Sequence, residues 1–397
     1  MSESITRPTS HDVLPETQEL PLAGPVEADV VDVRLSVASQ WKLMWWRFRR
    51  HRLAVASVVV IGLFYLVALL CELVSPHDPG AVNGLYKYVQ PQGLSFYDAD
   101  GRFSLRPGTH GLTGSRDPVT LRLSYVPDHD VWYPIHFLVR GDEYRLWGII
   151  PTDIHLFGLG NEVPPDTPFF LLGTDRLGRD MLSRIIYGAR VSLSIGLVGV
   201  ATSLLIGIAL GGLSGYYGGW VDMLVQRLVE ILRSIPTIPL LMAIGAAVPT
   251  KWSVEQTYFA ITIVLGIVGW TGVARVVRGR FLSLREEDFV LAAKLAGSGE
   301  RRIIFRHMLP SFVSHIIAVV TLAIPGMILN ETVLSFLGLG LRDPAISWGV
   351  RLQDAQNVQT VSLSPWLLLP VAPVILIILC FNFFGDGLRD AADPYGR

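Results

Sequence analysis

Apolar runs long enough to cross a bilayer recur along this chain, and they constrain its fold more than any other feature. Crossing the hydrocarbon takes about 20 predominantly apolar residues. Residues 53–74, 191–213, 258–277, about 312–336 and 366–384 supply such runs. A further helix follows the turn GYYGGW at 215–220 and carries Pro236 and Pro239 within its span. In lipid each backbone polar group must find its partner inside the protein, so the runs read as helices. Composition agrees, with 50% hydrophobic and 17% charged residues. The net charge of −1 gives no electrostatic case for nucleic acid. Six spans with both termini in the cytosol is the consistent arrangement: an all-α, multi-pass membrane protein.

Taken in order, residues 1–40 are polar and without periodicity, the composition of a disordered cytosolic tail. Residues 41–74 begin with WKLMWWRFRRHR, where indole rings mix with arginines as at a cytosolic membrane interface, and continue into the first span. That span starts too far from the N-terminus for a signal peptide, so it is expected to remain uncleaved. Residues 75–172 lack any spanning run and are rich in Gly, Pro, aromatics and polar residues, which predicts a strand-rich periplasmic insert between helices 1 and 2. Within it, runs at 132–140 and 143–150 flank Gly141-Asp142, read as a two-residue hairpin turn. His129, His136 and His155, with Asp130 and Asp153, have no standard metal-site spacing, and a plain folded surface is the preferred reading. Cys71 and Cys380 fall in apolar runs near opposite membrane faces, so no disulfide is expected. Residues 173–385 form the transmembrane core, and 386–397 a charged cytosolic tail.

Inside the core, Arg227, Glu230 and Arg233 are spaced to pair along one helix side. Pro236 and Pro239 disturb the next turns, so a broken helix lining a pathway is expected there. Asn330 and Glu331 lie in the fifth span. A carboxylate in mid-membrane must be paired or near water, and either gating or a satisfied interhelical bond would account for it. These four residues are the candidates for pathway or gating.

The link between spans four and five, 283–310, is different again. Ser283 with Glu286 reads as a capping box that starts a helix. Phe289, Ala292, Ala293 and Ala296 share a helical face, Gly297 can take the left-handed conformation that ends it, and Ser298 can cap a second helix. That second helix carries Arg301, Arg302, Arg306 and His307 until Pro310 breaks its register. The surplus of arginine here and at Arg275, Arg278, Arg280 and Arg285 places the link in the cytosol. A small-residue face beside a tight turn suits docking into a cleft of another protein.

Ala292-Ala293, Gly297 and Leu309-Pro310 sit at the spacing of the "EAA" coupling loop, so 283–310 resembles that loop of permease subunits in bacterial ABC importers. Leu291 and His307 stand where that pattern has Glu and Ile. LGTDRLGRDMLSRIIYGARVSL (172–193), LSFLGLGL (334–341) and GDGLRDAADP (385–394) are similar to signatures of the peptide/nickel importer permeases, in particular the second, C-type subunit. YRLWGIIPTDIHLFG resembles the oligopeptide and microcin C type importers.

The resemblance implies a type I importer (MetI-like) permease fold and an inner-membrane location. It also implies a heterodimer with a second permease subunit, two cytosolic ATPase subunits and a periplasmic solute-binding protein. On this reading Phe289, Ala292, Ala293, Gly297, Leu309 and Pro310 couple the chain to the ATPases, and peptides are the expected solute. ATP and Mg would belong to the partner subunits, with no cofactor in this chain. A phosphate-binding loop needs Gly-Lys followed by Ser or Thr, and none of Lys42, Lys87, Lys251 and Lys294 follows a glycine. No arrangement of catalytic residues is evident, so the chain reads as no enzyme. An ion-coupled secondary transporter, or an importer of nickel or an opine, is the alternative.

Overall fold

The computed structural model describes residues 40–392 except 117, 119–122, 161–162, 165–166 and 250. Apart from Gln40, the expected tail at 1–40 lies outside the described residues. α1 (Gln40–Arg50) ends where His51 turns the chain. The His51 ring accepts from the Ala54 amide at 3.1 Å and so caps α2 (Arg52–Leu69). This first span stops short of the apolar run, and a separate turn, Cys71–Val74, follows. Its end is closed by Arg190, which donates to the Ala68 and Leu69 carbonyls at 3.0 and 3.1 Å and pairs with Glu72. A cation satisfying the last carbonyls of a helix is a favourable cap.

The insert is an antiparallel meander of β1 (Ser95–Tyr97), β2 (Phe103–Arg116), β3 (Leu123–Leu146) and β4 (Ile150–Leu159). The hairpin turn lies elsewhere than expected. Gly141-Asp142 falls in an irregularity inside β3, between Arg140 and Tyr144, and the chain reverses at Trp147-Gly148. Both turn residues have positive φ, +53° and +73°, as a type I′ turn requires. Tryptophan rarely accepts that conformation, which is why the turn was not legible. The histidines do not converge. His129 meets the His110 ring edge-on, and the two ring nitrogens of His155 face the carbonyls of Ser75 and Asp142.

Among the described residues, five helices are long and apolar enough to span, or six if one bent pair counts as a single span. They are α2, α3 (Met181–Tyr217), α6 (Val254–Leu284), α8 (Val313–Phe336) and the stretch Pro365–Ala392, most of which is α10 (Val371–Ala392). The bent pair is α4 (Gly219–Ser234) and α5 (Thr237–Ala247), set at 85°. Pro236 is the N-cap of α5 and Pro239 lies in its first turn, positions with no intrahelical amide to lose. The prolines therefore break the element between helices without damaging either.

α3 and α6 pack closely along a glycine stripe. A Cβ on Gly211 would come within 2.4 Å of the Ala274 carbonyl oxygen, so only glycine lets the two backbones approach this far. α10 continues through residue 386 to Ala392, so the expected tail boundary is helical interior. Residues 337–364, which follow α8, hold short helices, among them α9 (Trp348–Leu352). α7 (Asp288–Leu295) lies between α6 and α8. Cys71 and Cys380 are both free and buried.

Candidate functional site

The 283–312 segment is built on the ends of α6 and α8. α6 runs unbroken to Leu284, so Ser283 belongs to its last turn and starts no helix. α7 begins instead after Glu287, whose side chain makes no cap bond. Asp288 in its first turn and Lys294 in its last complement the helix dipole. At the far end Gly297 has φ +75°, its amide donating to Lys294 O and that of Ser298 to Ala293 O, both at 3.0 Å. This pair of bonds is a Schellman ending. Ser298 does not cap the next helix; Gly299 occupies that position.

Residues Glu300–Arg302, Ile303–Met308 and Leu309–Ser311 then follow as one helical path, with the middle stretch in π-helical form. Leu309 N bonds Ile304 O across five residues. The widened turn takes in Pro310 near the start of the last short stretch, so the break comes at Phe312, where φ is −129°. Proline thus fails to end the helix because it enters where an amide is dispensable.

This hairpin is anchored from beneath. Val290, Ile303 and Met308 are fully buried with Val277, Phe281 and Phe312. Tyr217 donates to Glu300 at 2.7 Å, and the Lys294 ammonium lies 5.8 Å from the Tyr216 ring centre. Of the residues singled out from sequence, Phe289, Ala292, Ala296, Gly297 and Pro310 are exposed, while Ala293 and Leu309 are half-buried against the inner cluster. The most exposed large apolar side chain among the described residues is not one of those singled out from sequence. Leu295 is 91% exposed at the hairpin tip, with Leu291 one turn earlier on α7 and Phe305 also uncovered. Leu291 and Leu295 four apart, on the side of α7 away from Val290, are the pattern that marks this face.

Between the break of α4 and α5 and the middles of α6 and α8 lies an open cleft of about 380 Å³. Arg233, Pro236, Gly269, Thr271, Met327 and Asn330 line it among others. Pro239 and Glu331 do not. Glu331 is fully buried, and Ser192 and Ser335 donate to its carboxylate at 3.1 and 2.9 Å. Ser192 Oγ in turn accepts from Trp348 N, and Ser335 Oγ from Leu341 N. The carboxylate therefore joins α3 and α8 to the loop that carries α9.

A buried charge network closes the other end of the bundle. Asp175 accepts from the Arg179 side chain at 2.7 Å and from Arg351 at 3.3 Å, with almost no exposure on any of the three. Asp343 receives Arg179, Arg184 and Arg351 at 3.1–3.3 Å. Arg176 bridges Asp343 and Asp354. Removing one member of such a buried set leaves the others uncompensated, which costs about 3–5 kcal/mol.

Burial pushes the Asp343 carboxyl up, but hydrogen bonds from Arg179 and the charges of Arg351, Arg179 and Arg184 outweigh it and hold the pKa down at about 2. An unfolded aspartate titrates at about 3.9. The folded form is therefore favoured at any pH above that value, and the stabilisation disappears as pH falls toward about 2. Heating the purified protein at pH 5 and at pH 3 is expected to show a lower midpoint at pH 3. In Asp343→Asn the midpoint at pH 5 is expected to be lower and its drop on acidification smaller. An unchanged pH dependence in that variant would remove Asp343 from the account.

Residues 207–395 match the family described as binding-protein-dependent transport system inner membrane component. Residues 39–91 match the N-terminal TM domain of oligopeptide transport permease C. The oligopeptide transport system permease protein OppC of Haemophilus influenzae is 43% identical over 230 residues, 58% of this chain and 71% of that protein. The dipeptide transport system permease protein DppC of Lactococcus lactis subsp. cremoris is 37% identical over 351 residues, 88% of this chain and 89% of its own length. Among solved structures, the inward-facing MetNI methionine ABC transporter aligns at TM-score 0.40 and 21% identity, over 53% of this chain and 97% of the matched chain.

Proposed function

Starting from a chain that belongs to the binding-protein-dependent transport system inner membrane component family, we propose that it forms half of the pathway by which peptides cross the inner membrane. It is an ABC importer permease subunit of the peptide-transporting C-type and is not an enzyme. The finer reading is that 283–310 faces the cytosol and docks on an ATPase subunit, with Phe289, Ala292 and Leu295 as its contact surface. The observation that carries this reading is the exposed apolar tip, held rigid by the left-handed turn at Gly297 and the buried Val290 cluster. Leu295, 91% exposed, shares α7 with exposed Leu291 and Phe289, and an apolar patch of this kind suits a partner's surface.

Two ATPase subunits would hold ATP and Mg, and a homologous second permease would face the cleft lined by Pro236 and Asn330. The insert at 75–172 would lie in the periplasm, where a solute-binding protein delivers its cargo, and both termini would lie in the cytosol.

Uptake of labelled peptides into proteoliposomes holding the whole complex tests this. It is expected to require ATP and the binding protein and to ignore a proton ionophore. Uptake abolished by the ionophore and indifferent to ATP would instead identify an ion-coupled secondary carrier.

A further inference from the structure

We propose that the tip of the β3–β4 hairpin is a membrane anchor, with Trp147, Ile149 and Ile150 resting in the outer interface of the bilayer beside the end of α2. The inference rests on α2 being a span. Three observations meet at this tip.

The first fixes its depth. The Trp147 indole donates to the Leu69 carbonyl at 2.8 Å, and Leu69 is the last residue of α2. A span's final carbonyl lies where hydrocarbon gives way to headgroups, so the indole is held at that level. Tryptophan is the side chain best suited there, with an apolar body and a polar N–H.

The second is continuity of apolar surface. Along α2, Leu63, Leu66 and Leu69 are 52–56% exposed, as lipid-facing residues are. Beside the end of that stripe, Ile149 is 78% and Ile150 is 50% exposed. Two uncovered isoleucines on a water-facing hairpin would be a liability, whereas in lipid they continue the face of α2.

The third is backbone strain. Trp147 sits at φ +53°, a conformation that bulky residues avoid. Asparagine or glycine would make the same turn without cost, and neither could reach Leu69 with an indole. Strain of this kind persists where the surroundings over-determine it, and it points to function. The exposed aromatic cluster of Phe96, Tyr97 and Phe103, with Leu105 on β2, has no side-chain hydrogen bond to a span among the described residues and serves as the contrast.

The test uses the full-length protein in lipid nanodiscs, with a bimane fluorophore on Ile149→Cys, Leu63→Cys or Leu105→Cys and the unsubstituted protein as labelling background. Lipids carrying a nitroxide near the headgroup are expected to quench the label at 149 roughly twofold or more above that at 105. Aqueous iodide is expected to show the reverse order. Equal lipid quenching at 149 and 105, or strong iodide quenching at 149, would overturn the anchor. Shielding at 149 from both quenchers would also overturn it, since protein rather than lipid would then cover the tip. The label at 63 reports on the premise: if lipid fails to quench it, the span itself is misread, and the result at 149 is judged apart from it.

Discussion

Replacing Gly297 with valine is expected to reduce peptide uptake per ATP hydrolysed by roughly tenfold or more, with insertion and purification unchanged. A Cβ at this position would meet nothing within 4 Å, so crowding is not the reason. The reason is the φ of +75°. An L-residue in the left-handed region loses about 1–2 kcal/mol, and a β-branched one more, so the Schellman ending is lost or shifted. A 1.4 kcal/mol change in the balance of two hairpin shapes is already about tenfold. The tip would then meet the ATPase at the wrong angle, and hydrolysis would no longer move the permease. Asparagine, which tolerates this conformation, should restore most of the coupling. Full transport by the valine variant would remove the turn from the mechanism.

Changing Leu295 to aspartate is expected to abolish co-purification of the ATPase subunits, with an affinity loss on the order of a hundredfold or more. Burying one leucine contributes about 1.5–3 kcal/mol. A carboxylate forced into the same apolar cleft adds a desolvation penalty on top of that loss. Because the side chain is 91% exposed in the free subunit, its own stability should shift by no more than about 0.5 kcal/mol. A thermal midpoint measured beside the pull-down separates lost contact from lost fold. Retention of the ATPase at normal stoichiometry would move the contact elsewhere on the hairpin.

Much of this architecture could be read from residues alone, because long apolar runs and left-handed glycines have few structural solutions. The spans, the break at Pro236 and the turn at Gly297 are of this kind. Helix starts were harder. Ser283 and Glu286 have the right spacing for a capping box, yet α6 simply continues through Ser283, because Phe281 and Val277 keep its last turns packed on the hairpin core. Propensity yields there to tertiary burial. The hairpin at Trp147 was hidden for the opposite reason: its turn breaks the local rule that identifies turns. A satisfied interhelical bond is one of two readings for Glu331, but neither its partners nor the charge network could be read from sequence, since Asp175 and Arg351 lie 176 positions apart. Only folding brings them together.

The length of α3 has a mechanical consequence. Its N-cap, Asp180, adjoins the buried arginine network, and its last residues, Tyr216 and Tyr217, touch Lys294 and Glu300 of the hairpin. At 37 residues it is one continuous helix of about 55 Å with no proline in it. On the proposed coupling, a push received at the hairpin would reach the arginine network along one unbroken helix, whereas the break at Pro236 lies outside it.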